Sequence, residues 1–385
     1  MQRIDKHDKG WRRFVRNFTP SWFSVTTGTG MISMLLNTLP YNGRWLYWIS
    51  VAVFALNVFL FVMACLLTLL RFALYPETIR ATIADPVQSM VLGGFPMSLA
   101  TIINMFCFVC VPVCGEWAVT FVWVLWIIDA LISVATALTL PFVVMSRGRI
   151  VHLSTMTAVW LMPASTCPLA AGSGSIVAGL LPNADHVLWT LIASYVIWGL
   201  GLSLAMMIYV IYFQRLTFHK IPPKEVIVSV FLPLGSVGSG SYAIMRLGSV
   251  ALDIFPKTNS LRSVDAAPVF YAMGFMIGLL MWAFGLVWLF FASASIARCR
   301  HFPFNIGWWA FTFPLGALAL STCRLGRELP SVVFDVLGTI ISLVAVVLWM
   351  ICSLGTVQGI MSGKLFVAPT LVETKHKEVD KDCFA

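Results

Sequence analysis

The stretch FLPLGSVGSGS, residues 231–241, decides how this chain folds. It places a proline, a leucine and a run of Gly and Ser inside a long apolar segment. The pair recurs at Pro96-Met97, Pro168-Leu169 and Pro314-Leu315, each time followed by Ser, Ala or Gly. With Pro233-Leu234 included, the copies stand 72, 65 and 81 residues apart. A degenerate copy without the proline, VTTGTGMIS (25–33), lies 71 residues upstream of Pro96. One further apolar segment separates each copy from the next. The chain therefore reads as an all-α membrane protein of five repeated helix pairs, with one weakened helix in each pair.

Composition agrees. Of 385 residues 59% are hydrophobic and 11% charged, against about 25% charged in a soluble domain. The 15 Trp and 28 Phe suit a lipid-facing surface with interfacial anchors. A formal charge of +9 raises nucleic acid as a partner, but the basic residues sit in short connections and tails, a pattern of membrane orientation. Nine cysteines form no zinc-ribbon pair, and Cys107, Cys110 and Cys114 share a helical face as small packing residues. No metal or cofactor is implied.

A helix needs roughly 20 residues to cross about 30 Å of hydrocarbon. Ten spans are expected, near 20–39, 46–70, 87–111, 117–140, 153–180, 187–212, 226–251, 267–294, 305–322 and 332–360. Short turns at 40–45 and 112–116 make neighbours antiparallel hairpins. Residues 1–19 read as a cytoplasmic arm whose Trp11, Phe14, Val15 and Phe18 lie on lipid. Residues 20–360 form the transport domain and 361–385 a cytoplasmic tail. Nineteen basic residues fall on the side of the termini and five on the other, which places both termini in the cytoplasm.

All repeat motifs fall on the odd-numbered spans, whereas the even ones are rich in Val, Leu, Phe and Trp. A proline within a helix removes one hydrogen bond and leaves a carbonyl unpaired. In hydrocarbon that is costly unless protein or water meets the group. Pro96, Pro168, Pro233 and Pro314 are therefore helix-break positions on segments expected to surround a pore. The competing reading, close packing through small residues, applies to any single Gly or Ser.

The lining candidates are Thr26, Thr29, Asn104, Ser173, Ser236, Ser239 and Arg246. Hydroxyls and N–H groups replace part of an anion's hydration shell without trapping it. Cation carriers more often bury carboxylates, and here Asp129 alone lies midway along a span. Two readings stand for Asp129: a polar scaffold contact or a site of proton coupling. Arg246, toward the outer end of span 7, either concentrates anions at the mouth or snorkels to headgroups.

With FTPSWFSVTTGTG (18–30), CPLAAGSGSIVAG (167–179) and WWAFTFPLGALAL (308–320), the chain resembles the tellurite-resistance/dicarboxylate transporter family, which includes the plant slow anion channels and fungal malate carriers. Within it the fungal sulfite efflux pumps are the most similar. The resemblance implies five hairpins in quasi-fivefold arrangement around a central pore, with inner helices lining it. It also implies a pore-blocking phenylalanine just before the proline of the ninth span, here Phe313; packing between helices is the other reading of that ring. A homotrimer in the fungal plasma membrane follows from the same resemblance.

The function this implies is sulfite efflux conferring sulfite tolerance, with HSO3⁻ and SO3²⁻ both present near neutral pH. Transport of malate or another C4 dicarboxylate, or of another small anion through a channel of the same fold, is the alternative. It would be expected to show two converging cationic sites where Arg246 stands alone. No GxxxxGK[ST] sequence is present, and efflux down a membrane potential needs none. An enzyme would need a nucleophile, base and orienting group; His152 with Ser154 lacks the third member, and His301 lies in a basic turn.

Overall fold

The computed structural model describes residues 11–146, 152–261, 263, 265–299, 301–362 and 365. Arg3, Lys6 and Lys9 of the arm and nearly all of the tail lie outside the described residues. Among those described, fourteen α-helices follow one another: α1 (Trp11–Asn17), α2 (Phe23–Thr38), α3 (Arg44–Leu74), α4 (Glu77–Ala84), α5 (Pro86–Val91), α6 (Gly94–Val109), α7 (Val111–Cys114), α8 (Glu116–Ser146), α9 (Leu161–Ala178), α10 (Ala184–His219), α11 (Leu232–Thr258), α12 (Ala266–Arg298), α13 (Thr312–Glu328) and α14 (Val332–Met361).

Five helices are long: α3, α8, α10, α12 and α14 have 31, 31, 36, 33 and 30 residues. At 1.5 Å per residue each exceeds the hydrocarbon thickness. Only 22–33% of their most apolar stretches is buried inside the protein, so most of each apolar surface faces outward. Three of them carry exposed tryptophans in their first two turns, Trp45 and Trp48 on α3, Trp117 on α8 and Trp189 on α10. Rings at that position form an interfacial belt.

The partner helices are of another kind. The most apolar parts of the stretches 86–109, 227–258 and 306–328 are 78%, 94% and 78% buried, and all of α9 but Met162 is buried. Eight helical stretches among the described residues are long and apolar enough to cross a membrane. The other two are α2, with 16 residues, and α9, diluted by Gly, Ser, Thr and Pro.

Contacts order these helices. α2 packs on α6, α6 on α9, α9 on α11, α11 on α13, and α13 again on α2. The ring is closed. Each inner helix also packs against the long helix that follows it, as α2·α3, α6·α8, α9·α10, α11·α12 and α13·α14. Close approach within the ring depends on Gly238, where an added Cβ would stand 2.6 Å from the Ala317 carbonyl carbon.

Three expectations need correction. Pro96, Pro233 and Pro314 do not interrupt helices; they sit in the first turns of α6, α11 and α13. There the missing N–H has no intrahelical partner to lose. The corresponding proline of α9 is Pro163, in LMPAS, not Pro168, which lies within the helix. Short 3-10 segments, Pro20–Trp22, Ala158–Trp160, Ile227–Phe231 and Ile306–Phe311, lead into α2, α9, α11 and α13. The break is a change of helix type at entry.

The second concerns the arm. Trp11 and Phe14 are exposed, but Val15 and Phe18 are buried. Phe18 is held to the bundle by a 2.7 Å hydrogen bond from Arg71 to its carbonyl. The third is the ninth span, which continues to Glu328 and not to 322.

Candidate functional site

The first turns of the five inner helices converge on a cavity of about 900 Å³. Its wall includes Ser24 and Thr27 of α2, Met97 of α6, Met162 of α9, Leu232 of α11 and Phe313 of α13. Each helix N-terminus carries roughly half a positive charge from its aligned peptide dipoles. Five of them aimed at one space favour an anion there. Ser21 and Ser229 line the wall, and the Ser229 Oγ is buried with no partner among the described residues; Thr27 lines it too, but its hydroxyl is engaged by the Phe23 carbonyl at 2.9 Å and Ser98 Oγ at 2.7 Å.

Phe313 stands at the inner end of this space, 5% exposed. Its ring packs against α11 at Gly235, where a Cβ would come within 2.9 Å of Cε1, so glycine at that position leaves room for the ring. Phe311 instead packs edge-on against Phe231 at 4.9 Å and does not line the cavity.

Beyond Phe313 lies a second cavity of about 10 Å³, the space of roughly one water molecule. Asn104, Ser239 and Tyr242 supply its polar wall, with Met31 and Leu320 among its apolar neighbours. The two cavities share no lining residue. The axis is shut between them.

Of the residues expected to line a path, Asn104 and Ser239 face this inner cavity. Thr26, Thr29, Ser173 and Ser236 line neither cavity, because their hydroxyls serve helix contacts. Thr26 donates to Ser98 Oγ at 2.7 Å. Thr29 accepts from Trp349 Nε1 at 3.1 Å, and Ser236 pairs with the Tyr209 hydroxyl at 2.6 Å. Ser173 reaches the Leu169 carbonyl at 3.2 Å. The neighbouring Thr27, one residue and about 100° further round α2, is the one that faces the large cavity.

Asp129 is fully buried on α8, beside α9, and neither carboxylate oxygen has a hydrogen-bond partner among the described residues. Ser133, one turn along the same face, also has a buried hydroxyl oxygen without a partner. Arg246 stands near the middle of α11, about four turns beyond its start, its Nε buried and unbonded among the described residues. Two basic residues that a shorter ninth span had assigned to a loop, Arg324 and Arg327, belong to α13. Their signal was present in the sequence: both continue the helical period of Ala317 and Leu320.

A ring of buried helices inside a shell of long apolar ones defines a multi-pass membrane protein. Residues 17–357 match the voltage-dependent anion channel (SLAC1) family, and the chain belongs to that family. It is similar to the sulfite efflux pump SSU1 of Arthroderma otae, with 47% identity over 91% of this chain and 93% of the relative. The sulfite efflux pump SSU1 of Trichophyton rubrum is 46% identical over the same shares. The malic acid transport protein of Schizosaccharomyces pombe is more distant, 24% identical over 88% of this chain and 77% of its own.

Proposed function

We propose that this protein exports sulfite across the plasma membrane through the axis of its inner ring. The observation that supports the reading is Phe313 on the wall of the large cavity, at the first turn of α13, with the small and mostly apolar inner cavity further along the same helix. A large apolar side chain in a narrow path works as a steric or dewetting gate. On this reading all ten helices of the five hairpins cross the bilayer in quasi-fivefold order, the large cavity opens to the cytoplasm beside both termini, and Phe313 moves to admit the anion. The similarity to sulfite efflux pumps supports the choice of anion.

The driving force is electrical. An anion leaving a cell with a negative interior gains about 2.3 kcal/mol per charge per 100 mV. No covalent chemistry is needed, and we read the chain as a transporter rather than an enzyme. Asp129 is the residue we assign to any proton coupling, since its carboxyl is buried without a partner. Assembly as a homotrimer belongs to the same reading.

The second reading, export or import of malate, rests on the positive charge of Arg246, Arg324 and Arg327 further along α11 and α13, which a dicarboxylate would also use. Purified protein in vesicles loaded with sulfite or with malate separates the two. Sulfite flux above protein-free vesicles supports the first; malate flux without sulfite flux establishes the second.

A further inference from the structure

We propose that Arg246 and Arg324 form a binding site for a small oxyanion at the end of the axis remote from Phe313, and that Glu328 is its built-in competitor. The inference rests on the reading of the axis as an anion path and adds a site at its exit. On α11, steps of three and four residues lead from Ser239 to Tyr242 and on to Arg246; on α13 they lead from Ala317 to Leu320 and Arg324. The first two members of each series line the inner cavity. Both guanidinium groups therefore sit on the axis-facing stripes, about one turn further out.

Their surroundings agree. Arg246 lies close enough to act electrostatically on Arg324 and on Cys107 of α6. Two like charges facing one another out of bulk water are unfavourable unless an anion joins them. The Arg246 Nε–H is buried with no acceptor among the described residues, a donor still open to a ligand. An oxyanion with several acceptor oxygens matches the forked geometry of two guanidinium groups.

Arg324 already holds a carboxylate. It forms an ion pair with Glu328, one turn along α13, with side chains 13% and 9% exposed. Arg324 Nη2 also donates to Ser249 Oγ at 2.6 Å, and the second Glu328 oxygen accepts from the Tyr271 hydroxyl at 2.5 Å. Glu328 is thus a tethered carboxylate on the group that an incoming anion needs. Such an occupant keeps the site from trapping its ligand, because the carboxylate retakes Arg324 as the anion leaves.

The test is equilibrium binding of radiolabelled sulfite to the purified full chain in detergent, with folding checked by thermal unfolding. Glu328→Gln is expected to tighten sulfite binding about tenfold, within the usual range of coupling between two ligands. Tyr271→Phe, which loosens the carboxylate without removing it, should give a smaller change in the same direction. Glu328→Gln combined with Arg324→Gln should lose the gain. Unchanged binding in folded Glu328→Gln and Tyr271→Phe, or a gain that survives Arg324→Gln, overturns the proposal. Vesicle flux on the wild-type chain keeps the two readings apart. Flux with no Glu328 effect on binding leaves export standing and removes the exit site; the Glu328 effect without flux does the reverse.

Discussion

Phe313, the residue we propose as the gate, lines the large cavity and packs where Gly235 has no side chain. Replacing Phe313 by Ala removes the apolar obstruction while leaving the first-turn proline beside it. Basal anion flux in vesicles should rise by about an order of magnitude, the scale of removing roughly 1.4 kcal/mol from a barrier. Unchanged flux in a normally folded variant would return the ring to a packing role. Asp129 is the other residue whose environment outruns its surroundings: buried, on an outer helix, with no partner among the described residues. Its replacement by Asn keeps size and polarity but removes the titrating group. Sulfite efflux driven by an imposed pH gradient should then vanish while efflux driven by voltage persists; retention of the pH-driven component would make Asp129 a scaffold contact.

At the scale of elements, the prolines divide into two kinds. Pro163 occupies the first turn of α9, where no hydrogen bond is lost, whereas Pro168 lies inside the helix and removes the bond that would reach the Ala164 carbonyl. Pro163→Ala should shift thermal stability by less than about 1 kcal/mol. Pro168→Ala should raise the unfolding temperature, since it restores a donor for the Ala164 carbonyl. The opposite ranking in detergent melts would contradict this assignment. The same elements show how far the sequence carries. The inner and outer classes of helix were legible because lipid-facing and buried segments differ in Gly, Ser and Thr content. The phase of the third repeat was not: CPLAAGSGS matches the Pro-Leu pattern, but what marks the entry of α9 is the 3-10 segment Ala158–Trp160, which leaves no distinctive composition. Likewise Thr26 and Thr27 are equivalent as letters, and only their 100° separation around α2 decides which meets the cavity. Arg324 was hidden by ending the ninth span where hydrophobicity fades, although the helix continues.

Over the whole molecule, the five long apolar helices surround the inner ring, whose first turns meet at the large cavity and whose Arg246, Arg324 and Arg327 stand further along α11 and α13. On the proposed path we read that positive charge as suited to an anion. Membership of the voltage-dependent anion channel family agrees with that arrangement. What it transports, and in response to what force, is decided by function in a defined membrane. The most direct measurement is sulfite efflux from vesicles holding the purified full chain, with the voltage set by a potassium gradient. An interior-negative voltage should accelerate release of sulfite, and an interior-positive one should slow it. Release no faster than from protein-free vesicles at every voltage would contradict the account.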